Sequence, residues 1–332
     1  MDLVKYLKKR SEIVDKKIEE LIPEDFDPQV LSDSTRHLIK AGGKRLRPVL
    51  ALVSCEAVGG KEENAVEAAA ALELLHTFTL IHDDIMDRDK YRRGVKTVHQ
   101  TWDESTAIVA GDALFAKVFE AVVENAINQD LSADLVAELV DTVSKTSFEI
   151  CQGQALDMEF EERRTVSESE YMSMINRKTG ALFEASTKVG ALLGGGDREE
   201  VEALAKYGRL AGVAFQIHDD ILEISGDQET VGKPMGSDIR EGKCTLIITH
   251  ALTTVKDKDK ESLLGVWGNE ETTKEDIKKA IKILRESGSI DFAASKARDL
   301  VKKAKSKLEI IPDSEAREFL IELADFSIER EL

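Results

Sequence analysis

Cysteine is scarce in this chain. There are three in 332 residues, Cys55, Cys151 and Cys244, far apart and with no CxxC pair. That excludes a disulfide framework or a cysteine-based zinc site, and it suits a reducing cytoplasm. Proline, at five, and aromatic residues, at 5%, are also few, and no run alternates apolar with polar residues as strands do, so β-structure is not expected. Excess positive charge is absent too. The 46 basic against 64 acidic residues leave a net charge of −18, which argues against nucleic acid as a partner. Any anionic ligand must then be drawn by local basic clusters or bound metal. Long apolar runs are missing as well. The run ending at Ile81 is broken by Glu67, Glu73 and His76, so it is no membrane span. Residues Met1 to Glu20 alternate Lys and Glu with apolar residues at helical spacing and have no signal-peptide core.

What remains is a helical, charge-rich chain with enough apolar residues, 42%, for a sizeable core. The spacing predicts helices over about 3–21, 28–40, 106–126 and 198–225, with another from about Ala133 ending near Gln152–Asp157. Pro48 is placed to open a helix. Ser167-Glu168-Ser169-Glu170 reads as a capping box that opens one more. No linker divides the chain, which predicts one domain over residues 1–332. Charge runs beyond Thr245, such as Lys256–Glu261, read as solvated faces.

The chemistry concentrates at the end of the apolar run from Asn64, in Leu80-Ile81-His82-Asp83-Asp84-Ile85-Met86-Asp87. On a helix Asp83 and Asp87 point the same way, His76 shares their face, and Asp84 lies to one side. Three acids there repel one another and oppose the helix dipole. Mg²⁺, held by one or two carboxylates and substrate phosphates, would turn that liability into a site. The pattern recurs: Ile81–Ile85 matches Ile217-His218-Asp219-Asp220-Ile221, and Gln216, Asp219, Asp220 and Glu223 share one helical face. A lone Asp-Asp pair reads as a solvated helix end. Two matching sets are better explained by a metal–diphosphate site between two facing helices.

Basic motifs accompany the acids. Gly42-Gly43-Lys44-Arg45-Leu46-Arg47-Pro48 puts backbone N–H groups and cations at a helix start, which suits an anion, though a plain basic loop would look the same. Arg92-Arg93-Gly94 suits bidentate phosphate capture or simple neutralisation of the acids before it. Lys178-Thr179-Gly180 places a lysine beside an expected kink, and Gly232–Lys243 is a glycine-rich loop of the kind that closes over ligands.

Together these residues resemble the trans-isoprenyl (polyprenyl) diphosphate synthases: GGKRLRP at 42–48, DDIMD at 83–87, RRG at 92–94, GQALD at 153–157, KTG at 178–180, FQIHDD at 215–220 and GKPMGSDIREGK at 232–243. The resemblance covers about two thirds of the chain and is closest to the archaeal short-chain geranylgeranyl type. It implies an all-α fold of antiparallel helices around a deep central cavity, as a homodimer. It also implies condensation of isopentenyl diphosphate with allylic diphosphates by ionisation, condensation and elimination, dependent on Mg²⁺, with three ions per site. By resemblance, Asp83, Asp87 and Asp219 bind metal, and Asp84 and Asp220 belong to the same catalytic clusters. Arg92, Lys178, Thr179, Gln216, Lys233 and Lys243 contact the allylic substrate, whereas Lys44, Arg47, His76 and Arg93 hold isopentenyl diphosphate. Glu223 stands where the family has Asp, so the resemblance does not carry it over as a direct ligand.

Product length is expected to depend on what lies below the first acidic motif, where Phe78 and Thr79 sit five and four residues before Asp83. An aromatic at the fifth position alone resembles the geranylgeranyl type, although Phe78 could simply pack in the core. A farnesyl or mixed-length synthase, or a catalytically silent subunit of the same fold, are the alternatives.

Overall fold

The structure, a computed structural model, describes residues 3–163, 165–225, 236–269 and 271–329. In chain order the helices are α1 (Leu3–Leu21), α2 (Gln29–Lys40), α3 (Leu46–Ala57), α4 (Val66–Met86), α5 (Val98–Thr101), α6 (Glu104–Asn128), α7 (Ala133–Glu162), α8 (Glu168–Ile175), α9 (Ala181–Leu193) and α10 (Arg198–Ser225), followed by α11 (Ser237–Glu241), α12 (Leu246–Thr254), α13 (Asp257–Val266), α14 (Lys274–Glu286), α15 (Ser289–Lys307) and α16 (Glu315–Glu329). The all-α expectation holds. Among the described residues the only strands are a two-residue pair, β1 (Tyr91–Arg92) antiparallel to β2 (Val95–Lys96). No helix among them is long and apolar enough to cross a membrane.

The predicted ends of α1 and α10 coincide with the observed ones, and α7 runs five residues past its predicted end. Pro48 is the third residue of α3, not the first. It still lies in the first turn, where its missing N–H has no intrahelical partner to lose.

The chain divides into two compact units, each made of interleaved segments. The first comprises Met1–Ser147, Leu182–Gly208 and Lys307–Glu322; the second comprises Phe148–Ala181, Arg209–Ser306 and Leu323–Leu332.

In the first unit α4 packs most extensively on α6. Small side chains let the two helices approach: Ala68 to Ala71 are at most 1% exposed, and Ala107, Ala110 and Ala121 are fully buried. Helix α4 has no side-chain cap of its own, which would leave first-turn N–H groups unsatisfied. Asn125 of α6 supplies the partner. Its Oδ1 accepts from Ala68 N at 3.0 Å while its Nδ2 donates to Asn64 O at 3.0 Å. One buried amide thereby fixes where α4 begins, and so where its acidic last turn falls.

In the second unit Tyr171, Ile217, Leu246, Ile247 and Leu284 form the centre of an apolar core, each at most 1% exposed. Ser167 caps α8 through the predicted capping box, with Glu170 bonding back to the Ser167 backbone at 2.8 Å.

Candidate active site

Helix α4 carries Asp83 and Asp84 in its last turn, and Asp87 is its C-cap, with its N–H on Asp83 O at 2.8 Å. Asp83 and Asp87 are half-buried and Asp84 is fully buried. Burial pushes the Asp84 carboxyl up to about 6, although the Arg92 guanidinium beside it pulls the other way. Arg92 Nε donates to Asp84 Oδ1, and its Nη2 donates to Asp89 Oδ2 at 3.1 Å. The other oxygen of Asp84, Oδ2, is buried and accepts no hydrogen bond.

The predicted Arg-Arg-Gly motif turns out to be the loop of the β1–β2 hairpin. Arg93 and Gly94 are its two central residues, at φ 53° and 79°, the pair of positive values that a type I′ turn requires. The turn sends the two arginines to different partners. Arg92 joins Asp84, whereas Arg93 Nη1 donates to Gly42 O and to Leu38 O (3.2 Å).

Arg93 thus reaches the Gly-Gly-Lys-Arg loop, and a residue that the motifs did not flag holds this group together. Glu73 is 2% exposed, and its Oε1 lies 2.7 Å from Arg45 Nη1 and 3.8 Å from Arg93 Nη2. Arg45 is itself buried, with Nε on Asp15 at 2.6 Å and Nη2 on Ile39 O at 3.0 Å. It is a framework residue, while Lys44 is exposed and Arg47 half-buried. A Cβ on Gly43 would stand 3.0 Å from the guanidinium groups of both Arg45 and Arg93, so a side chain there would push the arginines apart.

Arg47 Nη1 lies 3.0 Å from His76 Nε2. Burial, followed by the positive charges of Arg47, Arg93, Arg92 and Arg45, holds the His76 pKa well below its ordinary value. A neutral His76 offers Nε2 as the acceptor for the Arg47 N–H, so it aims Arg47 and brings no charge of its own. Below the acidic turn the Phe78 ring packs on His82 and on Phe115, centroids 4.8 and 5.1 Å away, and Phe115 packs on Phe119 at 5.3 Å. Thr79 turns its hydroxyl back onto His76 O at 2.8 Å.

The second unit assembles the other predicted residues. Asp220 accepts from Tyr171 OH at 2.7 Å and from Gln216 Nε2 at 3.0 Å, and Thr179 Oγ1 donates to Gln216 Oε1 at 3.0 Å. Burial pushes Asp220 up to about 7 against the pull of those hydrogen bonds. Burial likewise keeps the Tyr171 phenol protonated, with its pKa well above the ordinary value. Asp219 and Glu223 are half-buried, and Glu223 accepts from Ser237 Oγ. Lys178 and Thr179 sit in a π-helical turn, Asn176–Gly180, a local widening common at functional sites. The turn lies against Gly153 of α7, where an added Cβ would come within 2.3 Å of Lys178 N. Asp157, four residues on, pairs with Lys178 and lies 3.8 Å from Lys243. The predicted Lys233 lies outside the described residues.

Sequence reasoning found the acids and cations but missed Glu73, Asp89 and Tyr171, and it quoted Asp157 only as part of a motif. Glu73 did leave a signal, as an acid inside an otherwise apolar helix. Among the described residues no three His, Cys, Asp or Glu side chains stand close enough to cage a metal. Mg²⁺ needs no such cage, taking one or two carboxylates together with ligand phosphates. Asp83 and Asp87, half-buried at the end of α4 beside the Arg92-bound Asp84, are carboxylates of the kind that fit a divalent cation held in this way.

The Polyprenyl synthetase family profile matches residues 28–284. The chain is 49% identical to the short chain isoprenyl diphosphate synthase of Methanothermobacter thermautotrophicus over 100% of its own length and 99% of that protein. It superposes on the geranylgeranyl pyrophosphate synthetase of Pyrococcus horikoshii with a TM-score of 0.93 at 48% identity, covering 99% of both chains. The polyprenyl synthase of Caulobacter crescentus, solved with calcium and isoprenyl diphosphate, superposes with a TM-score of 0.89 at 34% identity over 98% of both.

The raised carboxyls predict a metal-linked pH effect. Asp84 and Asp220 hold their protons more tightly in the folded than in the unfolded chain. Their stabilising contribution is complete below the ordinary value of 3.8 and is lost as pH rises through about 6 and about 7. Each tenfold change in proton affinity is worth about 1.4 kcal/mol, so a few kcal/mol are at stake. Cations favour the ionised forms, so the rise in melting temperature produced by Mg²⁺ is expected to be several-fold larger at pH 7.5 than at pH 5. Equal rises at both pH values, read by calorimetry, would remove this account of the acidic clusters.

Proposed function

The chain belongs to the polyprenyl synthetase family, and from that membership together with the residues above we propose that it is a prenyltransferase joining isopentenyl diphosphate to allylic diphosphates, with geranylgeranyl diphosphate as its product. The observation that carries the reading is the presence of two separate basic groups, each beside an acidic set or its arginine partners. Two groups suit two diphosphates, one to be expelled and one to be kept.

The substrate that keeps its diphosphate is assigned to Lys44, Arg47 and Arg93. His76 aims Arg47, while Glu73 and Arg45 anchor Arg93. The allylic diphosphate is assigned to Arg92, Lys178, Lys233 and Lys243, with Thr179 and Gln216 as uncharged partners. Its C1–O bond breaks and the electron pair leaves with the diphosphate, so the task of these cations is to hold that growing negative charge. The allylic cation is then attacked by the double bond of isopentenyl diphosphate, and loss of a proton restores an allylic double bond. No side chain in the described groups presents itself as the base, which leaves the expelled diphosphate to take the proton.

Mg²⁺ bound through Asp83, Asp87 and Asp219, three ions per site in this reading, would supply further positive charge to the leaving group. Asp84 and Asp220 act one step back. Asp84 orients Arg92, and Asp220 orients Gln216 and through it Thr179. A substrate-bound crystal structure would count the ions; fewer than three would revise the number.

Chromatographic analysis of purified protein given labelled isopentenyl diphosphate, each allylic primer and Mg²⁺ tests the reaction. A twenty-carbon product that disappears with EDTA is expected. Asp83→Ala should lower turnover by at least about a hundredfold, the scale of losing preorganised charge stabilisation, with an unchanged circular dichroism melt. Absence of product with every primer would indicate a silent subunit of the same fold.

Product length is assigned to Phe78, supported by its ring resting on Phe115 and then Phe119, an aromatic stack able to block a growing tail. Phe78→Ser is expected to lengthen the product by at least one five-carbon unit, and an unchanged length would reassign the floor.

The protein is further read as a cytoplasmic homodimer. Ile108, Val109, Val123 and Ile127 of α6 are 46–73% exposed and lie on one side of the helix, a surface suited to a second copy. Sedimentation equilibrium should return twice the chain mass; a monomer at micromolar concentration would overturn this.

A further inference from the structure

Helix α10 has a second worked face. Gln216, Asp219, Asp220 and Glu223 share one side, and the 3.6-residue period puts His218 and Ile221 on the other. Those two residues form one wall of a cavity of about 450 Å³, well within the ~300–1,000 Å³ range of small-molecule sites. Helix α15 forms a second wall and α16 a third.

The hollow exists because α15 presents small residues to it. Half-buried Ala294 leaves room where a larger side chain would fill the space, closely packed Ala297 and Val301 lie beneath it, and Ile328 of α16 extends the apolar lining. Above this floor α15 carries Arg298, Lys302 and Lys305, at spacings of four and three that keep them on one side of the helix. Lys305 is committed to Asp325, at 2.7 and 3.0 Å. Arg298 and Lys302 are exposed, and neither is in an ion pair among the described residues. Glu329 adds one negative charge at the rim, which leaves the anion-accepting end at the Arg298–Lys302 pair. In a chain of net charge −18, two uncommitted cations over an apolar hollow are a specific combination. They match a ligand with a greasy tail and a compact anionic head.

We propose that this cavity is a second binding site for a prenyl diphosphate, the class of molecule that the enzyme is read above to make, and that occupancy there regulates turnover through α10. The inference rests on the synthase reading for the identity of the ligand. Its diphosphate lies on Arg298 and Lys302, and its tail runs over Ala294 and Ile328, above a floor that Ala297, Val301 and Ile221 support from beneath. Each methylene taken up by the cavity raises affinity about fourfold, which selects the long product over its five-carbon building block. A tail seated against His218 and Ile221 bears on the back of the helix that presents Asp219 and Asp220, so a site filled with product feeds back on the acidic set.

Equilibrium dialysis of the full chain with labelled geranylgeranyl diphosphate, in EDTA so that metal-dependent binding is suppressed, reads the site directly. The double variant R298E/K302E should weaken binding about tenfold, as loss of the paired charge contacts implies. Ala294→Trp, which fills the hollow and leaves the charges in place, should do the same, with thermal melts unchanged for both variants. In turnover assays at saturating primer, inhibition by added geranylgeranyl diphosphate should weaken by a similar factor while kcat and KM hold. Unchanged binding in both variants would overturn the proposal. So would equal competition by inorganic pyrophosphate or by geranylgeraniol, since each lacks one of the features that the cavity is built to recognise. The two readings fail separately: loss of binding in the variants of a protein that makes no product would sink the synthase reading alone, whereas normal synthesis with unaltered binding would sink this site alone.

Discussion

A carboxylate taken out of water must be met by cations or hydrogen bonds, and three of those that this chain buries show how meeting that demand fixes their neighbours. Glu73, Asp84 and Asp220 are at most 7% exposed. Each solves the problem differently, and each solution fixes a neighbour. Glu73 lies between two arginines, so Arg45 and Arg93 cannot swing into solvent. Asp84 takes the Arg92 guanidinium on one oxygen and leaves the other without a hydrogen bond. Asp220 has no cationic partner among the described residues and relies on Tyr171 and Gln216, and burial raises its pKa as it does that of Asp84. Positioning of the charged groups is thus a by-product of keeping buried acids satisfied.

Much of this was legible in the sequence, because the chemistry required unusual residues at regular spacing. Asp83, Asp87, Asp219 and Asp220 stand out as acids ending apolar helices, and Lys44, Arg47, Arg92 and Arg93 as cations beside glycines. The ends of α1 and α10 could be read from periodicity and breakers. The hidden part depends on contacts distant in sequence. Glu73 and Arg45 are 28 residues apart, Tyr171 and Asp220 are 49 apart, and Asn125 caps α4 from 57 residues away. No local rule makes a tyrosine in an apolar stretch the hydrogen-bond donor of an aspartate on another helix. Glu73 could have been suspected on the strength of its place in α4 alone, since an acid within a buried helix must have a partner.

Two irregular backbone segments do work that regular helix could not. An ordinary helix separates adjacent side chains by about 100°, and it could not send Arg92 to an acidic helix end while sending Arg93 to the Gly-Gly loop. A two-residue hairpin turn with both central residues at positive φ can. The motif that reads in sequence as a doubled arginine is therefore two residues with separate duties, and Gly94 accompanies them because the turn needs its φ of 79°. The π-helical turn at Asn176–Gly180 has a similar logic. It presses Arg177 and Lys178 against α7 at a point where only glycine leaves space, so Gly153 helps to fix the position of a lysine 25 residues away.

The same geometry explains how a strongly acidic protein can handle anions. At physiological salt the Debye length is about 8 Å, so the net charge of −18 is largely screened from a ligand already inside a pocket, and the nearest few side chains decide. Around Arg47 those are arginines, which add to the effect of burial in holding the His76 pKa well below its ordinary value. A histidine that stayed charged there would add to the repulsion among the guanidinium groups. As a neutral acceptor it relieves that repulsion and fixes the direction of Arg47. The overall charge sets solubility and encounter, whereas binding is written in a local field that buried Glu73 keeps from flying apart.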